Sequence, residues 1–159
     1  MSLRIKEILI VSCLAAFIFF INTRENYTDA AMERIIAGVS EIAGLEEMTE
    51  LDGSRLRRNF GINAGDYSEF AYYGHESVMN SEALLIIRLS EAGQGSQAIS
   101  AIGTSRDKSK ELFKSYAPEQ YALLSGSILE QKGNYVIYVV SDRASQIERA
   151  ISDILTGKE

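Results

Sequence analysis

The stretch Ala83–Leu89 reads ALLIIRL, an apolar run interrupted only by Arg88. Continuous β-branched and leucine character without alternation marks a central strand buried on both faces or nearly so. Working outward, Glu69–Tyr73 is aromatic-rich and strand-like. Ser127–Glu130 and Asn134–Val140 flank Lys132 and Gly133, a hairpin signal. Helical spacing joins Met32, Ile35, Ile36, Val39 and Ile42, with Thr28 or Asp29 as start cap and Gly44 as stop. Glu46–Gly53 reads as acidic and irregular, and Ser54–Gly61 as one or two helical turns between a serine cap and a glycine stop. A long helix is expected over about Ser96–Tyr116, with Ala98, Ile99, Ile102, Leu112, Phe113 and Tyr116 as its buried stripe. Pro118 starts a further turn, and Asp142 caps a last helix carrying Ala144, Ile147, Ala150, Ile151 and Ile154. The order α, β, β, α, β, β, α predicts an α+β domain: an antiparallel four-stranded sheet with helices packed on one face.

Upstream, Arg4 and Lys6 precede an apolar or small run from Ile8 to Ile21. Residues Leu3 to Thr23 as helix would reach about 31 Å, roughly the thickness of a bilayer's hydrocarbon core. The run ends in Phe19, Phe20, Ile21 and Asn22, without the small residues that a signal peptidase needs. We therefore expect residues 1–24 to be an uncleaved membrane anchor and residues 25–159 a single extracytoplasmic domain. The basic start keeps the N-terminus in the cytoplasm, a bias that Arg24 opposes. A competing reading is lipidation of Cys13, since Ile10–Cys13 fits a loose lipobox. Against it, four apolar residues precede the cysteine and eight follow it.

The chain has 159 residues and a formal net charge of −6, so nucleic acid is not an expected partner. A single cysteine and a single histidine exclude an intrachain disulfide, a cysteine-based zinc site and a multi-histidine metal site. No cofactor and no metal are expected.

The densest candidate cluster is Tyr72, Tyr73, Gly74, His75 and Glu76. His75 and Glu76 are acid–base residue types, yet neighbours in an extended segment point to opposite faces. The plainer reading is a solvated connection between strands. No serine sits in a Gly-x-Ser-x-Gly elbow, and one histidine cannot serve them all. Gly93–Ser96 has the glycines of a phosphate loop without its lysine, which leaves a turn and cap as the better reading. Arg55, Arg57 and Arg58 could grip a carboxylate or phosphate, but Glu46, Glu47, Glu50 and Asp52 stand close in sequence to balance them. Glu82, opening the buried strand, and Arg106, in the long helix, are further candidates. The binding residues expected are Tyr72, Tyr73, His75, Glu82 and Arg106. Eight tyrosines and no tryptophan add amphipathic surface suited to recognition.

The segments Glu82–Arg88, the long helix with Arg106, Phe113–Tyr121 (FKSYAPEQY) and Gly133–Val140 (GNYVIYVV), taken in combination, resemble the DUF4358 family over about Leu56 to Ile154. Its members are short exported proteins of Clostridia and related Gram-positive bacteria, usually with a lipoprotein signal or membrane segment. The resemblance implies no catalytic residues. The reading that follows is a non-enzymatic, envelope-anchored binding or accessory module, held by its N-terminal helix and using its sheet edge or tyrosine-rich surface on an envelope partner. The alternative is an enzyme or acyl-transfer accessory acting on cell-envelope polymer, with His75, Glu76 and Glu82 as its cluster.

Overall fold

A strand with apolar side chains on both faces is stable only when both faces are covered, and two such strands set this architecture. The computed structural model describes residues 10–14 and 27–158. In chain order the domain comprises α1 (Met32–Ala43), β1 (Thr49–Glu50), α2 (Gly53–Phe60), β2 (Glu69–Gly74), β3 (Ala83–Arg88), α3 (Gln94–Phe113), α4 (Pro118–Ser125), β4 (Ile128–Lys132), β5 (Tyr135–Val140) and α5 (Ala144–Thr156). The strands form one antiparallel sheet in the order β1-β2-β3-β5-β4. Thus the fold is α+β as expected, but with five strands instead of four. The extra one is the two-residue β1, inside the stretch read as irregular. It pairs Thr49 with Gly74 and Glu50 with Tyr73.

The one-face arrangement is not what forms. Leu84, Ile86, Tyr135, Ile137 and Val139 point to one side, under α1 and α5. Leu85, Ile87, Val136, Tyr138 and Val140 point to the other, under α2, α3 and α4. Every residue of β5 is buried, so helices on a single face would leave half of it wet. The result is a three-layer sandwich. Ile86 pairs directly with Ile137, and neither has any exposed surface.

Other local expectations shift by specific contacts. Asp52, not Ser54, caps α2 by accepting from the backbone N–H of Arg55 at 3.0 Å. Ser141, not Asp142, accepts from the N–H of Arg143 ahead of α5. The stripe of α3 keeps Ala98, Ile102 and Phe113 buried, whereas Leu112 and Tyr116 are exposed. The β4–β5 hairpin turns on two residues, with Gly133 at φ +55°, the glycine-first geometry that a tight hairpin demands. Gln94 braces the 93–96 turn: its Oε1 accepts from the N–H groups of Ser90 and Glu91, and its Nε2 donates to the carbonyl of Asp66. That corner is a turn, and α3 starts from Gly93 without a side-chain cap.

Thr28 and Asp29 do not cap α1, whose first residue follows Ala31 without a side-chain bond. They strap the entering chain to the domain instead. Thr28 donates its N–H and hydroxyl to the carbonyl of Leu155 at 2.7 and 2.8 Å. Asp29 pairs with Arg88 and accepts from the Tyr135 hydroxyl, which also donates to the Ala30 carbonyl. Burial and these partners push the Tyr135 phenol up to about 12. The expected anchor, residues 1–24, lies outside the described residues apart from Ile10–Leu14, which are helical and exposed. Among the described residues no helix is long and apolar enough to cross a membrane.

Two predictions follow from this core. Ile86→Ala should cost about 2–5 kcal/mol on chemical denaturation, the range for truncating a fully buried isoleucine. A cost under about 1 kcal/mol would contradict a central β3. The second concerns alkali. The folded state holds the Tyr135 proton to about pH 12, while the unfolded phenol releases it near pH 10. Stability from this group is therefore complete below about pH 10 and declines as pH rises toward 12, by about 2 kcal/mol. Burial weakens the charged form of Lys132, but its contacts with Glu148 and Glu130 outweigh this and raise its pKa, so it acts in the same direction. Melting measured between pH 9 and 12 should show the decline, and Tyr135→Phe should start lower and fall less steeply.

Candidate functional site

β2 and β3 end together at the Gly74–Ala83 pair, and residues 75–82 turn back over that end of the sheet. The connection is pinned. Asn80 Oδ1 accepts from the Glu82 N–H at 2.9 Å, and Ser81 gives both its N–H and its hydroxyl to Gln120 Oε1 of α4 at 2.7 Å. This return brings His75 Nε2 to 3.5 Å from Glu82 Oε2. The partner of His75 is thus the carboxylate seven residues on, and Glu76 is exposed. The loop creates a pairing that strand alternation denies to adjacent residues.

Two helices supply the facing wall. On α2, Arg55, Arg58 and Asn59 stand at i, i+3 and i+4 on one side, while Leu56 is buried in the core. On α3, Ser105, Ser109 and Phe113 recur at four-residue spacing beside Arg106. The helices are tied together: the Ser105 hydroxyl donates to the Asn59 carbonyl at 2.6 Å, and Asn59 Nδ2 donates to the Tyr72 hydroxyl at 2.7 Å. Tyr72 and Tyr138 occupy one row of the sheet, on either side of Leu85. Phe60 packs its ring against both, at 5.6 and 5.9 Å between centroids. These three walls enclose a cavity of about 360 Å³, lined by both tyrosines.

The cavity gathers three arginines on its helix walls and two carboxylates, Glu76 and Glu82, on the connection opposite. None of Glu46, Glu47, Glu50 and Asp52 forms an ion pair with the α2 arginines. Among the described residues, Arg55, Arg57 and Arg58 make no ion pair, and the Asp52 carboxylate serves the backbone. Arg106 engages Asp107 through Nε at 3.0 Å, which leaves the other two guanidinium nitrogens without an ion pair among the described residues. Burial raises the Tyr72 phenol, opposed by the Asn59 bond and the Arg55 charge. Burial also raises Tyr138, against the Arg106 charge.

Of the five residues expected to bind, Tyr72, His75, Glu82 and Arg106 line this one cavity. Tyr73 does not. It lies on the opposite face, partly buried against the core beneath α1 and α5, so neither tyrosine of the pair faces outward. Nor is there a tyrosine-rich surface: of the eight tyrosines, only Tyr116 is exposed. Asn59, Ser105 and Tyr138 escaped sequence reasoning. For Asn59 and Ser105 the one signal is the four-residue helical spacing, which becomes meaningful only once α2 and α3 share a sheet face; Tyr138 has only its place in the apolar β5 run.

Chemically, the cavity offers guanidinium and phenol donors on two walls and a histidine–carboxylate pair on the third. A nucleophile is not assembled with that pair. Ser81 and Ser105 are committed to Gln120 and Asn59, Ser77 accepts from the Met79 N–H, and among the described residues no hydroxyl hydrogen-bonds to His75. Among the described residues, too, no group of three or more His, Cys, Asp or Glu side chains could hold a metal ion.

A family model described as a domain of unknown function, DUF4358, matches residues 41–141, well over half the chain and all of the cavity's walls. The chain belongs to the DUF4358 family. No curated protein and no solved structure matches it. The cavity is therefore read from the DUF4358 domain's own side chains. Asn59→Ala should loosen the junction of α2 with β2, costing about 0.5–1.5 kcal/mol on denaturation. A change under about 0.3 kcal/mol would show that the Asn59–Tyr72 bond does not hold the two together.

Proposed function

We propose that this protein is a non-enzymatic, membrane-anchored binding module of the cell envelope, with its ligand seated in the cavity between α2, α3 and the 75–82 connection. One observation carries this reading: three guanidiniums converge on a single cavity in a chain of net charge −6, and two of them have no ion pair among the described residues. Guanidiniums that no carboxylate engages keep their donors available for an anion brought from outside. The binding surface is accordingly the cavity, in place of the sheet edge or a tyrosine patch. Anchoring by residues 1–24 and an extracytoplasmic position rest on the apolar run after Arg4 and Lys6.

The second reading is an enzyme or acyl-transfer accessory on envelope polymer, and it has its own support. His75 and Glu82 stand 3.5 Å apart in the same cavity as several serines. General acid–base work on an external nucleophile would need only that pair.

One experiment separates them in the native cell. The full-length protein should stay in the membrane pellet after high-salt washing, and deletion of residues 1–24 should release it. Release by Cys13→Ala alone would establish lipidation. His75→Ala should leave the phenotype of the gene largely intact, while the double substitution Arg55→Glu and Arg58→Glu should abolish it. Loss of function in a folded, membrane-located His75→Ala variant would overturn the binding-module reading in favour of acid–base chemistry.

A further inference from the structure

The chemical class of the ligand follows from the donors, on the premise that the cavity is a binding site. The α2 and α3 walls present Arg55, Arg58 and Arg106, with the Arg106 Nε already engaged by Asp107. Between them lies Tyr138, only 3% exposed, which lines the cavity and whose hydroxyl makes no hydrogen bond among the described residues. The ring is buried while the hydroxyl itself opens to the cavity, and its place beside Arg106 marks where an acceptor can be met. Tyr72, in the same row, is by contrast satisfied by Asn59.

We propose that this cavity binds the phosphoryl group of a phosphate ester, held by Arg55, Arg58 and Arg106, with the Tyr138 hydroxyl as a further donor. A carboxylate has two oxygens and one charge, and a single guanidinium fork engages both oxygens and balances that charge. Three guanidiniums, one of them already offset by Asp107, leave about two positive charges on that wall, and with the phenol these match the charge of about −2 and the three terminal oxygens of a phosphoryl group. The opposite wall fits the rest of an ester. His75 and Glu82 can exchange hydrogen bonds with the hydroxyls of a polyol or sugar, and about 360 Å³ lies at the lower end of the ~300–1,000 Å³ typical of small-molecule sites.

The test uses full-length protein in phosphatidylcholine nanodiscs, with thermal melting and calorimetric titration as readouts. Inorganic phosphate and glycerol 3-phosphate should each raise the melting point saturably, and succinate at equal ionic strength should not. Arg55→Gln and Arg106→Gln should each weaken binding by about 10- to 100-fold, as loss of a charged donor does. Tyr138→Phe keeps the ring against Phe60 and removes only the hydroxyl. It should weaken phosphate binding by about five- to tenfold while the melting point without ligand holds or rises. This variant decides the matter should an arginine variant fail to fold. Nanodiscs containing phosphatidic acid identify the source: a shift there, with none from soluble esters, assigns the phosphoryl group to a lipid headgroup. A response to succinate alone that depends on the arginines would overturn the phosphoryl assignment and leave the binding module standing. No response to any of these anions, or phosphate binding unchanged in all three variants, would also overturn it. The phenotype of the Arg55→Glu, Arg58→Glu protein would then judge the binding module separately.

Discussion

Everything in this domain follows from the burial of β3 and β5 on both faces. Eleven of their twelve residues are buried, Arg88 being the half-exposed exception. Such a pair has to be covered twice, so the chain cannot place all its helices on one side. α1 and α5 take one face, and α2, α3 and α4 take the other. The second group leaves a gap between α2 and α3 over the end of the sheet, and the 75–82 connection borders it to form the cavity. The cavity is thus a product of covering the sheet.

The donors are placed by the same packing. Leu56 has no exposed surface, and by filling the core it turns Arg55, Arg58 and Asn59 toward the cavity. Arg57, on the same helix, does not line it. Arginines in the last turn of α2 also suit the negative end of its dipole, which offsets part of the cost of gathering like charges. Ser105 and Asn59 then fix the helices to each other and to Tyr72, so the arginines project from a braced frame.

Much of this was legible in the chain. The ALLIIRL run implied a strand covered on both faces, which already conflicts with helices on one face. The antiparallel order alone is equally compatible with helices on one face, and only the burial of both strand faces excludes it. β1 was beyond reach, because two exposed residues, Thr49 and Glu50, carry no alternation to detect. The caps moved for a related reason. Asp, Ser and Thr are all competent, and tertiary partners such as Leu155 and Arg88 decide which is free to cap. At the site, His75, Glu82, Tyr72 and Arg106 were legible as residue types, but their meeting depends on a loop closure and a helix crossing. Tyr73 illustrates the limit. Alternation correctly separates it from Tyr72, but cannot tell that the far face is also covered.

The strap at the domain entrance bears on where a ligand would come from. Asp29 meets Arg88 and Tyr135, at the C-terminal end of β3 and the hairpin end of β5. Tyr27 packs against Gly133 in the hairpin turn itself. The cavity lies at the other end of the same strand, at Glu82 and Ala83. Six residue steps at ~3.3 Å each separate the two ends by roughly 20 Å. Under the proposed anchoring, the chain would leave the bilayer a few residues before Tyr27 and enter the domain at the hairpin end. The two hydrogen bonds of Thr28 and the Asp29 network fasten this entering segment to the domain itself. The guanidiniums then open at the end of the sheet away from the entry strap. With the entry end turned to the bilayer, a headgroup of the same membrane would have to rise about that distance to reach them, whereas a soluble or polymer-borne ester would meet them directly.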